Sequence, residues 1–183
     1  MAATIESIAL KIDTPTGEIT PGRGFYQLEE DALYVQVGEY SKRRRFFNYL
    51  ESEYVRFDFD RFGRLIFIEV SLPRRRWEVN TQLAAPTIAE PADIRWLDFR
   101  ARIAEPRLLT NKKRTDLLIE FKSRHDWRWL TLAEKIFVQV DSENRLTGLM
   151  VVDIDDDLAG EQIASFRKQG DKRDPARHPL PRP

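Results

Sequence analysis

The segment Asp60-Arg61-Phe62-Gly63-Arg64-Leu65 returns later in the chain as Asp141-Ser142-Glu143-Asn144-Arg145-Leu146. Both start on Asp, which favours the opening position of a tight turn. Three residues on, both carry a residue that tolerates positive φ, Gly in one and Asn in the other. Alternating apolar residues lead into each: Val55, Phe57 and Phe59 before the first, Ile136, Val138 and Val140 before the second. A period of two turns one face of a strand toward a core and the other toward water. Each block therefore reads as a β-hairpin, and any fold for this chain has to accommodate two of them.

Further blocks match in the same order. Asp31-Ala32-Leu33-Tyr34-Val35-Gln36-Val37 aligns with Thr115-Asp116-Leu117-Leu118-Ile119-Glu120-Phe121, and the run at 45–50 aligns with the run at 128–132. Leading strands over 5–12 and 95–103 precede the two sets. Four matched blocks point to an internal duplication; the alternative is two unrelated hairpins alike by chance. Leu65-Ile66-Phe67-Ile68 is apolar on both faces and reads as a strand covered on both sides. Residues 80–93 hold Pro86, Pro91 and small residues without alternation, which marks a linker.

These features predict a first β repeat over 1–79, a linker over 80–93, a second β repeat with a short helix over 94–166, and a flexible tail over 167–183. The helix starts at Asp156 or Asp157 as cap and runs through Phe166, with Leu158, Ile163 and Phe166 partly on one face. The charged, Pro-rich tail should be disordered. The fold class is mainly β: two repeated antiparallel β-meander units packed as a sandwich or a partly closed barrel about a pseudo-two-fold axis. Each unit alone buries too little, so the copies should share one core. Trp96, Trp127, Trp129 and Phe137 are candidates for that shared layer.

Composition narrows the function classes. Lys plus Arg and Asp plus Glu are equal at 30 each, so no global charge argues for nucleic acid or an anionic membrane. Without cysteine there is no disulfide, iron–sulfur cluster or Cys-ligated zinc. No basic leader followed by an apolar stretch opens the chain, and no apolar run approaches the ~20 residues that span a bilayer. The expected location is the cytoplasm.

Few residues are arranged for chemistry. His125 and His178 are the only histidines, and no ligand spacing surrounds them. Asp153, Asp155, Asp156 and Asp157 suit either an oxygen-ligated cation or a strand end with a helix cap. Ser123, His125 and Asp126 are too crowded for a nucleophile–base–orienter geometry and read as a polar loop. Phosphate-binding glycine loops are absent. Asp58 and Asp60 share a strand face, and with Asp31 or Glu69 they make a candidate acid–base pair; Asp60 is better explained by the turn, and Asp58 by water or an Arg partner.

The basic runs are the most suggestive feature: Lys42-Arg43-Arg44-Arg45, Arg74-Arg75-Arg76 and Lys112-Lys113-Arg114, with Arg124 and Arg128 among Trp127 and Trp129. Phe46, Phe47, Trp77, Trp127 and Trp129 follow them closely. Gathered on one edge, these loops would hold phosphates and stack bases. Dispersed, they are wetted loops and guarded strand edges.

Residues 25–72 also carry a family pattern: Tyr26, Asp31, Leu33, Tyr34 and Val35, then Asp60, Gly63, Arg64, Leu65, Ile68, Glu69 and Val70. The first copy resembles a small bacterial family known as domain of unknown function number twenty-two eighty-three. The second copy departs from it at Thr115, Leu118 and Met150. The resemblance implies a small β-meander module without established activity, and some members look like the antitoxin half of two-gene systems.

Three functions follow as expectations. The first is a non-catalytic binding protein with a protein or peptide partner, added as a strand at an open sheet edge. The second is a nucleic-acid-binding module using Lys42, Arg43, Arg44, Arg45, Arg74, Arg75, Arg76, Lys112, Lys113 and Arg114. The third is an enzyme with a carboxylate pair or an acid-held metal. No cofactor and no membrane partner are expected, and the chain is read as a pseudo-two-fold monomer or a homodimer.

Overall fold

The computed structural model describes residues 3–39, 45–122, 126–158 and 160–173. The first half contributes β1 (Thr4–Ile5), β2 (Leu10–Asp13), β3 (Gly22–Gln27), β4 (Ala32–Val37), β5 (Asn48–Glu51), β6 (Val55–Phe59) and β7 (Leu65–Val70). A 3-10 turn at Arg74–Arg76 then leads to β8 (Glu78–Val79). The second half contributes β9 (Glu90–Pro91), β10 (Asp93–Trp96), β11 (Ala101–Ile103), β12 (Arg107–Thr110), β13 (Leu117–Glu120), β14 (Trp127–Ala133), β15 (Ile136–Asp141), β16 (Leu146–Val151), β17 (Asp155–Asp157) and the helix α1 (Glu161–Arg173).

The protein is mainly β. One sheet has the order β1-β11-β5-β6-β7-β4-β3-β17, the other β8-β12-β13-β16-β15-β14-β9, and β2 pairs with β10 in a separate ladder. Inside the larger sheets, β5-β6-β7-β4-β3 and β14-β15-β16-β13-β12 have the same order and the same connections. Their inner faces meet in one continuous core. Leu33, Val35, Leu50, Phe57, Phe59 and Ile68 from one sheet pack with Leu117, Ile119, Leu130, Ile136, Val138 and Leu149 from the other. This is the layering that alternation at period two requires.

The two hairpin turns match bond for bond. Asp60 Oδ1 accepts the N–H groups of Phe62 and Arg64 at 2.8 and 3.0 Å, while Asp141 Oδ1 accepts those of Glu143 and Arg145 at 2.9 Å each. Gly63 and Asn144 both have positive φ, 80° and 56°. Each hairpin also carries a bulge at the corresponding place, beside Asp58/Phe59 and Gln139/Val140. In the first, Ile66 is the extra residue of that bulge, which helps explain why Leu65-Ile66-Phe67-Ile68 is apolar throughout. Ile66 and Phe67 face a second cluster under α1, while Leu65 and Ile68 face the core.

The halves exchange parts. β8 leaves the first half and pairs with β12 of the second; β17 leaves the second and pairs with β3 of the first, both in parallel. The chain after β8 reaches the outer face of the second sheet through Leu83, and the chain after β17 reaches the outer face of the first through Ile163. The turns are exchanged as well. Trp96 of β10 donates its backbone N–H to Gly63 at 2.8 Å, and Leu10 of β2 donates to Asn144 at 3.0 Å.

Three placements differ from the sequence reading. β9 and the first residue of β10 fall inside 80–93, since the chain there is drawn along the edge of β14. The helix runs on to Arg173, past Phe166. Asp157 accepts from Gln162 and Ile163 at 3.4 Å, so it serves the helix start, but Leu158 precedes the helix and is exposed. The side chain of Phe166 and residues 174–183, His178 included, lie outside the described set. Of the four proposed core aromatics, only Trp96 enters the shared layer. Trp129 and Phe137 lie on the outer face of the second sheet, and Trp127 is exposed, because odd-numbered positions of β14 ahead of its bulge at Thr131–Ala133 point away from the core. Among the described residues no helix is long and apolar enough to cross a membrane.

Candidate functional site

The basic runs do not gather on one edge. Leu33 of β4 pairs with Val70 of β7 and Gln36 with Phe67, so the chain ends at 38 and 65 lie together, opposite the ends at 31 and 70. Arg45 belongs to the first end, beside the turn at 60–63, where Phe47 donates its N–H to Phe59 at 2.8 Å. Lys42, Arg43 and Arg44 lie outside the described residues, as do Ser123, Arg124 and His125. Arg74, Arg75 and Arg76 belong to the second end, where Lys112, Lys113 and Arg114 join them. Arg114 donates to the carbonyls of Arg74 and Trp77 at 2.8 and 3.0 Å.

At that second end Arg74, Arg75 and Arg114 are used within the fold. Arg74 pairs with Asp156 at 2.7 Å and lies 4.3 Å from the centre of the Tyr26 ring. Arg75 pairs with Asp31, which also accepts from the Tyr26 hydroxyl. The Tyr26 hydroxyl bond, then the Arg75 guanidinium, hold the Asp31 carboxyl below its ordinary range. Burial, chiefly, pushes the Tyr26 hydroxyl up to about 12. Arg76, Lys112 and Lys113 remain exposed.

Three of the four acids in the run at 153–157 are committed in the same way. Asp155 pairs with Arg23 at 3.5 Å, Asp156 with Arg74, and Asp157 caps α1. Among the described residues no group of three or more acidic or histidine side chains is placed to hold a metal ion.

A charged row crosses the outer face of the first sheet: Tyr34, Glu69, Arg56 and Glu51 are register neighbours. The corresponding row of the second sheet is Leu118, Met150, Phe137 and Thr131. Arg56 holds Glu51 at 3.3 Å and the buried Asp58 at 3.2 Å, and lies 4.5 Å from the Tyr49 ring centre. Tyr34 donates to Glu30, which pairs with Arg167 of α1 at 3.0 Å. Burial, and next the Asp58 charge, raise the Glu69 carboxyl above its ordinary range.

That shift has a definite sign. A carboxyl with a raised folded-state pKa costs no stability below its unfolded pKa; the cost grows as pH rises toward the folded value and is complete above it. Glu69→Gln is therefore expected to raise the melting temperature near pH 8 and to give no such gain near pH 4, read by thermal denaturation at both. Asp31 and Asp93 work the other way. Arg64 holds Asp93 low through paired 3.0 Å bonds, and the stability from both acids is lost as pH falls through their depressed pKa values.

The first end carries a different surface. Phe47, Phe62, Leu97 and Phe99 are each between 45% and 61% exposed, and it is the grouping of such side chains, not their exposure singly, that marks an interaction surface. They come from three segments that meet. The turn at 60–63 touches β10 through the Gly63–Trp96 bond, Leu97 and Phe99 continue that strand, and Arg100 reaches back to lie 5.8 Å from the Phe47 ring centre. Arg61 and Arg64 lie 4.7 and 5.8 Å from the Phe62 ring centre. Trp127, the register counterpart of Phe47 in the second half, is likewise exposed beside its own turn. Sequence reasoning found Arg45, Phe46 and Phe47 here but missed Phe62, Leu97, Phe99, Arg61 and Arg100. An aromatic at the centre of a polar turn is the sequence signal by which Phe62 could have been found.

Two clefts of about 350 and 440 Å³ lie at corresponding places in the halves. The smaller is floored by Ile5, Ile8, Ile103 and Leu146, the larger by Val37, Leu65 and Ile94. Each is an apolar groove rimmed by charges, with Arg107 and Glu120 at one and the Arg64–Asp93 pair at the other. Asp58 and Glu69 line neither. No protein-family model matches the chain, and no curated protein is significantly similar to it.

Proposed function

We propose that this is a non-catalytic binding protein of the cytoplasm, a pseudo-two-fold monomer made by duplicating and fusing one β-meander. Its binding face is the surface formed by Phe47, Phe62, Leu97 and Phe99 with Arg45, Arg61 and Arg100. The observation that carries this reading is the exposure of four large apolar side chains from three converging segments. Aromatic residues and Arg are the types enriched where surfaces recognise partners, and a few such anchors supply most of the binding energy. The shared strand order and matched turns support the duplication. The first half is taken as a relative of domain-of-unknown-function family twenty-two eighty-three, whose Asp60 and Gly63 positions here make the turn.

The test is photo-crosslinking in the native cell with a probe at Arg61, comparing the wild type with a Phe62→Ser/Phe99→Ser variant. The expected result is one specific adduct that falls roughly tenfold in the variant. An adduct of unchanged yield would sink the assignment. A second reading rests on β14, of which only Leu130 and Thr131 pair with β9, leaving Trp127–Trp129 at the edge. Adducts mapping there, in place of the turn at 60–63, would favour an added partner strand.

A further inference from the structure

We infer that the partner of this aromatic–arginine face is a single-stranded nucleic acid, a conclusion that rests on the binding reading above and names its ligand class. The ring of Phe47 carries Arg100, and that of Phe62 carries Arg61 and Arg64. Phe47, Phe62 and Phe99 are exposed, as are Arg45, Arg61 and Arg100. The surface thus presents flat apolar rings and positive charge side by side.

Four of the acids nearby are already committed. Asp60 holds its own turn through the Phe62 and Arg64 amides, and Asp93 is held by Arg64 at 3.0 Å and Arg95 at 3.6 Å. Asp98 accepts from the Ala9 amide at 3.2 Å, and Asp13 pairs with Lys11 at 3.5 Å. Among the described residues, neither Arg61 nor Arg100 has a carboxylate within ion-pair reach.

A partner that satisfies both features must set negative charge beside planar apolar groups. A single strand does so at every nucleotide, phosphate then base. A duplex does not, because its bases are stacked inside. An acidic peptide supplies charge but lacks a flat ring at each step. Base stacking on aromatic side chains is tolerant of sequence, and phosphate contacts release counterions. With equal numbers of acidic and basic side chains over the whole chain, long-range steering is weak, so affinity should depend on these local contacts.

The experiment is fluorescence anisotropy of labelled twelve-nucleotide oligo(dT) and oligo(rU) with the full chain, from low to moderate salt. Three phosphate contacts predict a log–log salt slope of about −2. Phe62→Ser/Phe99→Ser should weaken binding by at least about tenfold. Arg61→Gln/Arg100→Gln should flatten the slope by roughly 1.4. Arg76→Gln/Lys112→Gln, at the far end of the sheets, should leave both unchanged, and circular dichroism verifies that each variant is folded.

No binding at low salt, or equal loss from the far-end variant, overturns the inference. If the oligonucleotides fail while the cellular adduct is still lost in the Phe62→Ser/Phe99→Ser variant, the ligand class is wrong and the face stands with a protein partner. If both fail, the binding face itself is wrong.

Discussion

Residues 1–79 expressed alone are expected to show no cooperative unfolding transition, and residues 80–183 alone to show none either, whereas mixing the two restores one. The cause is the exchange of parts. The first fragment keeps β3 and β4 but loses β17, the strand that covers the outer edge of β3. It also loses β10, which pairs with β2 over four residues, and α1, whose Ile163 covers Phe25, Tyr34 and Phe67. The second fragment loses β8 from the edge of β12 and the β2 strand that binds the turn at Asn144. Above all, each loses the facing half of a single core. A fragment this small buries only about 60% of its unfolded surface even when its fold is complete. The same argument expects a full-length chain nicked within 80–89 to stay associated and to melt as one unit. Circular dichroism melts and size-exclusion chromatography decide the matter; a half with its own sharp transition would show that the sheets are independent.

Replacing the turn aspartates should be the most damaging of the conservative point changes. Asp60 and Asp141 are almost wholly buried, at 1% and 4% exposed, and each accepts two backbone N–H groups through one oxygen. Alanine would leave two part-buried amide donors without their acceptor, at a cost of about 2 kcal/mol in each case. The two losses should agree closely, since the bonding is the same in both turns.

The exit residues should differ in sign. Gly63 has a φ of 80°, and a Cβ there would lie 2.5 Å from the Trp96 carbonyl oxygen. Gly63→Ala therefore strains the backbone and pushes the turn off β10. Asn144 holds the same conformation with a side chain already present, so Asn144→Gly should be neutral or stabilising by up to about 1 kcal/mol. Urea denaturation of the four variants tests both statements, and a tolerated Gly63→Ala would contradict the close approach.

Much of the architecture was legible because strands and turns are local. An Asp three residues before a Gly or an Asn, between alternating apolar runs, identified both hairpins and their resemblance. What stayed hidden is long-range or short. β8 and β17 are two and three residues long, Glu-Val and Asp-Asp-Asp, with no pattern that distinguishes them from loop. Their partners lie in the other half, and no local rule names a partner. The basic runs were visible as composition, but which end of a sheet each occupies depends on strand direction and pairing. That decided that Arg74 and Arg114 serve the fold while Arg61 and Arg100 lie on open aromatic rings. Trp127 illustrates the same limit: hydrophobicity proposed the core, and the parity of its position in β14 placed it outside.

The order of residues dictated the hairpins, their reversals and the apolar side of each strand, because those follow from steric rules acting over a few neighbouring peptide units. Folding in three dimensions dictated which half supplies each edge strand, which charges are neutralised, and which rings remain in water. Those outcomes depend on contacts between segments far apart in the chain, where the burial of a shared core outweighs every local preference.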